Sequence, residues 1–448
     1  MSMWKKLLMV STVALTAVTL GACGNNQNST SSSNNNSSKP ITLWVATDYV
    51  PWYKTSVKEF EKKGKRVVVC ATTGIAARTI GGYTLHHQFH IDITKDEITD
   101  TKKNDWIKTT DLIVVDEISM LSFHLFNKVG KEIKTHNPKC QLIVIGDFFQ
   151  LPPVITDATM AIIRRRGYSG IEKEKCHCFH SKYWKEFNFK TCVLTEAMRQ
   201  EDQKFSTALY NLSRGVLTDE DKSYLRKAQQ NGLIEDDDAI ALCCVNKVAD
   251  KVNNEKLAEI KEKEFKFDAK TWGKYDKDAA PKELKLKVGA KVMMLINNTN
   301  EGYCNGDLGF VSSIEGDKVS VKLIDGGEVV VEPYKFCSYV FEDGKNKIIG
   351  HITQLPLKLA WAITVHKSQG QTFKKVNFLY NKGFFEGALE NLTLLYVGMS
   401  RAKTIDKLYL QINTAIPPFV NEDVLNFYMG NYKIYVSDWD RNVDKIGF

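Results

Sequence analysis

The sequence predicts an α/β protein built on parallel sheets, with a small antiparallel β-rich insertion. Two observations predict the parallel sheets. Short apolar, β-branched runs end in polar tips and pass into helical stretches, as in LIVVDE (112–117), LIVIGD (142–147) and RVVVCATTG (66–74). Such runs suit strands buried on both faces, and their repetition with intervening helices suits a doubly wound sheet. A third observation predicts the insertion. Between 284 and 336, KVMMLIN, GDLGFVSSI, DKVSVKLI and EVVVEP crowd together, and Asp325-Gly326-Gly327 makes a tight turn between the last two.

The chain of 448 residues is long enough for two to four domains of ~100–200 residues. Its formal charge of +8 permits contact with nucleic acid without arguing for it. The ten cysteines are scattered and several lie in apolar runs, which suits reduced, buried thiols. Cys176-His177-Cys178 with His180 lacks the spacing and the second ligand pair of a zinc site.

Residues 1–23 read as a secretory signal of lipoprotein type. Lys5 and Lys6 precede an apolar run that closes on LGAC, with Cys23 as the lipidation site. Residues 24–39 are an Asn/Ser tether with nothing to bury. Residues 40–63 (from ITLWVATDYVPWYK onward) resemble the first strand and helix of a bacterial sugar-binding lipoprotein. From Gly64 the character changes. A strand over Arg66–Ala71 leads into Thr72, Thr73 and Gly74, and TLHHQF follows at 84–89. Residues 92–110 are charged and irregular, as a surface insertion would be. The central strand ends in Asp116 and Glu117. One acid at such a tip can hold a divalent cation and a second can orient or deprotonate water. The next strand ends in Gly146-Asp147, with Gln150 beyond it. TCVLTEAMRQ (191–200) gives a further tip with Arg199, and AIALCC (239–244) opens a second α/β unit. LKLAWAITVHKSQGQTFKKVNFL (357–379) and LTLLYVGMSRAKTIDKLYL (392–410) complete that unit, and no motif is legible from Pro417 on.

DLIVVDEISML, GDFFQLPPV, LTEAMRQ, AITVHKSQGQTF and LYVGMSRAK, in this order, resemble the motifs of superfamily-one helicases, specifically the Pif (petite integration frequency) group of 5′-to-3′ DNA helicases. The resemblance covers about 64–412. It implies two RecA-like domains, at 64–200 and at 201–283 with 341–412, an SH3-like barrel inserted at 284–340, and a tail at 413–448. It implies ATP with Mg²⁺ in the cleft between the domains, single-stranded or forked DNA across both, a monomer, and no protein partner. The implied roles are Asp116 on Mg²⁺, Glu117 on the attacking water, Gln150 as γ-phosphate sensor, and Arg199 and Arg401 as arginine fingers. Gly146, Asp147 and Gly370 are further nucleotide contacts. DNA contacts fall on Thr73, Gly74, Thr84 and His86, and on Thr364, His366, Lys367, Ser368 and Gln369. From the residues alone, alternatives stay open: caps and turns for Thr73 and Thr84, a core histidine for His366, structural ion pairs for Arg199 and Arg401.

One departure stands out. The family's phosphate loop ends in Gly-Lys-Ser or Gly-Lys-Thr, and the family spacing puts that lysine near position 49. Residues 45–51 read VATDYVP, and no GxxxxGK[ST] occurs elsewhere. The expectation is a helicase core with a foreign N-terminus that does not hydrolyse ATP usefully. The alternatives are a single-stranded nucleic-acid-binding remnant and a secreted solute-binding lipoprotein. The leader implies export and the helicase body implies the cell interior, where ATP is; the interior is the expectation.

Overall fold

The computed structural model describes residues 41–44 and, with short internal gaps, 57–430; the longest gaps are 381–387 and 413–420. The leader, the tether and Cys23 lie outside the described residues. Among those described, no helix is long and apolar enough to cross a membrane. The described residues form two compact units, divided between 198 and 199, with residues 421–430 returning to the first.

The first unit is organised on a parallel sheet. Its strands are β1 (Ile41–Trp44), β2 (Val67–Ala71), β3 (Tyr83–Thr84), β4 (Leu112–Asp116), β5 (Gln141–Val144) and β6 (Lys190–Val193), in the spatial order β3-β2-β4-β5-β1-β6. The predicted parallel sheet is therefore present, with strands of nearly continuous apolar residues. β1 lies in the segment that resembles another protein, yet it pairs with both β5 and β6, Ile41 opposite Ile143 and Lys190. It supplies the opening strand of this sheet. Helix α1 (Gly74–Thr79) follows β2, and α2 (Phe123–His136) follows β4. Ser122 caps α2 by accepting from the Leu125 amide at 3.2 Å, which satisfies one of the four free amides of a helix start. Ala71, Ala76, Ala77, Ile80, Leu112, Val114, Ile143 and Ile145 form a core cluster, with Val57 and Phe60 packed against it.

The unread tail has a definite place. Helix α3 (Glu422–Gly430) belongs to the first unit. Phe427 stacks on Phe179 at 4.3 Å between centroids and meets Phe148 edge-on at 5.3 Å. His180 Nε2 lies 2.7 Å from Asp423 Oδ2.

The second unit carries a parallel sheet of β7 (Ala239–Cys243), β13 (Ala362–Thr364), β14 (Lys375–Tyr380) and β15 (Leu408–Ile412), in the order β13-β7-β14-β15. Between β7 and β13 lies the antiparallel sheet, with β8 (Lys291–Met294), β9 (Leu308–Glu315), β10 (Lys318–Leu323), β11 (Glu328–Val331) and β12 (Leu357–Leu359) in the order β11-β10-β9-β8-β12. This region is longer than the expected 284–340. Two smaller antiparallel sheets begin at Phe265, and β12 closes the five-stranded one at Leu359. Sequence periodicity found the close hairpins, but β12 pairs with β8 across about sixty residues. Its core includes Leu286, Val292, Met294, Val319, Val321 and Leu357.

Candidate functional site

In the first unit the acid pair stands at the tip of β4. Glu117 is almost wholly buried and takes a left-handed backbone, φ 53 and ψ 43. That conformation is unfavourable for a residue with a side chain and is typical of functional tips. The surroundings impose it. Thr72 Oγ1 donates to the Glu117 carbonyl at 2.6 Å, the Ile118 amide donates to the Ile145 carbonyl at 2.9 Å, and the Glu117 amide donates to Asp116 Oδ1 at 2.8 Å. Burial, and secondarily the charge of Glu117, push the Asp116 carboxyl up to about 7.

Gly146 explains how the two strand tips come together. A Cβ there would sit 3.0 Å from the Ile118 amide nitrogen and 3.1 Å from its Cγ2. Asp147 Oδ1 accepts from the Phe149 amide at 3.0 Å, and the Gln150 amide closes the turn onto the Asp147 carbonyl at 2.9 Å. The Gln150 side chain is buried and its Oε1 finds no acceptor-satisfying donor among the described residues. A buried amide oxygen in that state calls for a donor from water, an ion or a ligand.

Sequence reasoning missed a support of this turn. Tyr428 on α3 stacks on Phe149, 4.7 Å between centroids and 12° between planes. Its hydroxyl accepts from the Phe148 amide at 3.3 Å and lies 3.4 Å from Asp147 Oδ1. The pairing spans some 280 residues, and only the amphipathic pattern of VLNFYM in the tail hinted at it. Thr73 and Thr84 both act as caps here, Thr73 Oγ1 accepting from Ala76 N and Thr84 Oγ1 from His87 N, each at 3.2 Å. Gly74 starts α1 with open space around it, and His86 is half-buried in the short helix after Thr84.

In the second unit the HKSQG turn follows β13. His366 and Lys367 are exposed, and Thr364, Ser368 and Gln369 are buried. Thr364 Oγ1 accepts from the Lys367 amide at 3.4 Å and Ser368 Oγ donates to the Val365 carbonyl at 2.7 Å. Gly370 is left-handed, φ 76, which lets the chain reverse. Arg401 is fully buried. It donates to the carbonyls of Val397 (2.9 Å), Gln371 (3.2 Å) and Ser368 (3.4 Å), and to Ser400 Oγ (2.8 Å). In this state it pins the HKSQG turn to the helix Ala388–Met399. Arg199, also buried, donates to the Ser400 carbonyl at 3.4 Å, beside Gln200, which reaches the same oxygen at 3.2 Å.

The donor set suits a magnesium nucleotide only in part. Asp116 and Glu117 can receive a divalent cation, which commonly takes one or two carboxylates with phosphate oxygens and water. The sequence holds no GxxxxGK[ST] run to cradle the phosphates. Residues 45–51, the expected position, lie outside the described residues, and their sequence has neither glycine nor lysine.

Comparison with known proteins gives a consistent picture. The family described as PIF1-like helicase matches residues 47–222, the UvrD-like helicase C-terminal domain matches 359–410, and the DNA helicase Pif1 2B domain matches 277–314. The ATP-dependent DNA helicase Pif1 of Campylobacter jejuni is 31% identical over 382 residues, an alignment covering 77% of this chain and 82% of that protein. Human PIF1 is 29% identical over 387 residues, but there the match spans only 56% of the relative. Among solved structures, the Pif1 helicase of Candida albicans superposes with a TM-score of 0.73 at 26% identity, covering 96% of this chain and 99% of the other. A Bacteroides Pif1 helicase in complex with ADP-AlF3 and ssDNA gives 0.68 at 28% identity, covering 88% and 94%. Two RecA-like domains with an acid pair at a central strand tip define a helicase core of superfamily one. Within that class, this chain belongs to the Pif1-like helicase family.

Proposed function

We propose that this chain is a DNA helicase core that binds single-stranded or forked DNA inside the cell and, as written, turns over ATP poorly. The observation that carries this reading is the contrast within one sheet. The tips of β4 and β5 present Asp116, Glu117 and Gln150 in buried, constrained positions, whereas β1 leads into residues 45–51, which contain neither glycine nor lysine. Loss of one preorganised donor typically costs about 10²–10³ in rate, and here a whole cradle is replaced. The assigned roles remain those of the resemblance: Asp116 for the cation, Glu117 for water, Gln150 for the γ-phosphate, Gly146, Asp147 and Gly370 beside the nucleotide, and Arg199 as a finger. Arg401 can serve as a finger only after leaving the carbonyls it now binds. Thr73, Gly74, Thr84 and His86, with Thr364, His366, Lys367, Ser368 and Gln369, face the DNA; the hydroxyls of Thr73, Thr84 and Ser368 are engaged with the backbone, so amides and the cation Lys367 do most of that work. The domain limits follow the same reading, with the insertion widened to 265–359. The purified full chain, assayed for ATP hydrolysis with and without oligo-dT, tests it. Expected is oligonucleotide binding without stimulated turnover; DNA-stimulated hydrolysis at a rate typical of helicases would refute the poor-turnover reading.

A further inference from the structure

The insertion carries a second antiparallel sheet with an aromatic and basic outer face. Its strands are Lys270–Gly273, Tyr334–Glu342 and Lys345–Gln354, the last lying between the other two. The register sets rows of three residues across it. Lys270, Thr353 and Lys335 form one row, and Trp272, His351 and Cys337 form the next but one. The row between them is Thr271, Ile352 and Phe336. It faces the other way, because side chains alternate along a strand. Ile352 is fully buried, and Phe336 packs on the core of the five-stranded sheet. The lysine row and the tryptophan row therefore share the face turned away from that core.

A merely solvated face would carry small polar side chains and charges of both signs. Here Trp272 leaves 57% of its surface exposed, although an indole is among the side chains that gain most from being covered. Its ring lies 5.7 Å from that of His351, tilted by 33°. His351 Nδ1 is shielded from solvent and has no hydrogen-bond partner among the described residues. Lys270 and Lys335 are exposed, and neither has a carboxylate partner among the described residues. Asp268, two residues before Lys270, is already paired with Lys266 at 3.2 Å. Neighbouring strands lie ~4.8 Å apart, so the two lysines rise from points ~10 Å apart. The Thr353 hydroxyl stands between them, and the indole stands beside them on the same face.

We propose that this face binds a single strand of DNA, with one base stacked on Trp272 and neighbouring phosphates held by Lys270 and Lys335. This rests on the DNA-binding reading above and adds to it a site on the insertion, outside every motif on which that reading stands. Unpaired cations of one sign call for a polyanion. The open indole beside them favours a polyanion with flat rings between its charges. Aromatic platforms flanked by cations hold single strands without reading sequence, since every base has a π-face. The Thr353 hydroxyl is a further donor to phosphate in the same row.

The test is fluorescence anisotropy of the full chain with labelled oligo-dT and with an abasic oligonucleotide of the same length, across a salt series. Trp272→Ala should weaken oligo-dT binding about fivefold or more, the lower end of what one stacked base contributes. It should leave the salt slope and the affinity for the abasic strand unchanged. Trp272→Phe should recover most of the loss. Lys270→Met combined with Lys335→Met should weaken both ligands and flatten the log–log salt slope by about 1.4, two phosphates at ~0.7 each. If the parent binds oligo-dT and Trp272→Ala binds it equally well, the site is overturned while the DNA-binding reading stands. Equal losses on both strands would show that the ring acts through the fold and not on a base, which also overturns it. If the folded parent binds no oligonucleotide, both readings fall. Binding of poly-glutamate or oligo-rU that depends on Trp272, with oligo-dT binding independent of it, would assign the face to an acidic protein or to RNA and overturn the proposal.

Discussion

Replacing Lys358 by methionine should stabilise the protein at neutral pH. Methionine keeps the length and the packing of the stem and removes the charge. The ammonium falls from an ordinary 10.5 to about 8 through burial and the Lys367 charge. Each pKa unit corresponds to ~1.4 kcal/mol, so the full shift of ~2.5 units amounts to ~3.4 kcal/mol at pH 7. Lys358 is only partly buried, and solvent screening brings the expected gain to ~2 kcal/mol. For a unit of this size that is a rise of about 4–8 °C in melting temperature. The sign with pH follows from proton binding. Between about pH 8 and 10.5 the unfolded chain holds the Lys358 proton and the folded chain does not, so this group makes the parent more stable as pH rises through that window. The advantage of the variant should therefore shrink towards zero near pH 10. Thermal melts of parent and variant at pH 7 and pH 10 measure it, with hydrogen exchange at β7 and β14 assigning the transition to the second unit. A neutral or destabilised variant at pH 7, or an advantage that persists unchanged at pH 10, would refute the reasoning.

Two other substitutions probe the supports of the site. Arg401→Lys leaves the carbonyls of Val397, Gln371 and Ser368 short of a fork of donors, so it should lower stability by about 2–4 kcal/mol and weaken oligo-dT binding; an unchanged urea midpoint would show that the guanidinium is not a clamp. Tyr428→Phe keeps the stack on Phe149 but removes the contacts with the Phe148 amide and Asp147. It should cost about 1 kcal/mol, read as a lower urea midpoint and faster exchange at Phe148, and equal exchange in parent and variant would count against the support.

Local pattern reached a long way. The apolar runs over 112–116 and 141–144 predicted buried strands because a strand covered on both faces must be apolar throughout, and β4 and β5 pair in parallel as expected. The same runs placed Asp116, Glu117, Gly146 and Gln150 at or beyond strand ends, where the chain leaves the sheet, but could not foretell that Glu117 and Gln150 would be buried there. What stayed out of reach depends on partners far away in sequence. Periodicity cannot say that Ile41 pairs with Ile143 and Lys190, or that Tyr428 closes over Phe149.

The sequence by itself determined the α/β class, the order of the strand-tip motifs and the absence of a phosphate-loop signature, since each is written in a run of neighbouring residues. Only the tertiary structure decided what the charged and polar groups do. It buried Arg401 among carbonyls and made caps of Thr73 and Thr84. The physical reason is that a side chain's role follows from the donors, acceptors and charges within a few ångströms of it, and folding draws those from strands and turns that local sequence does not connect.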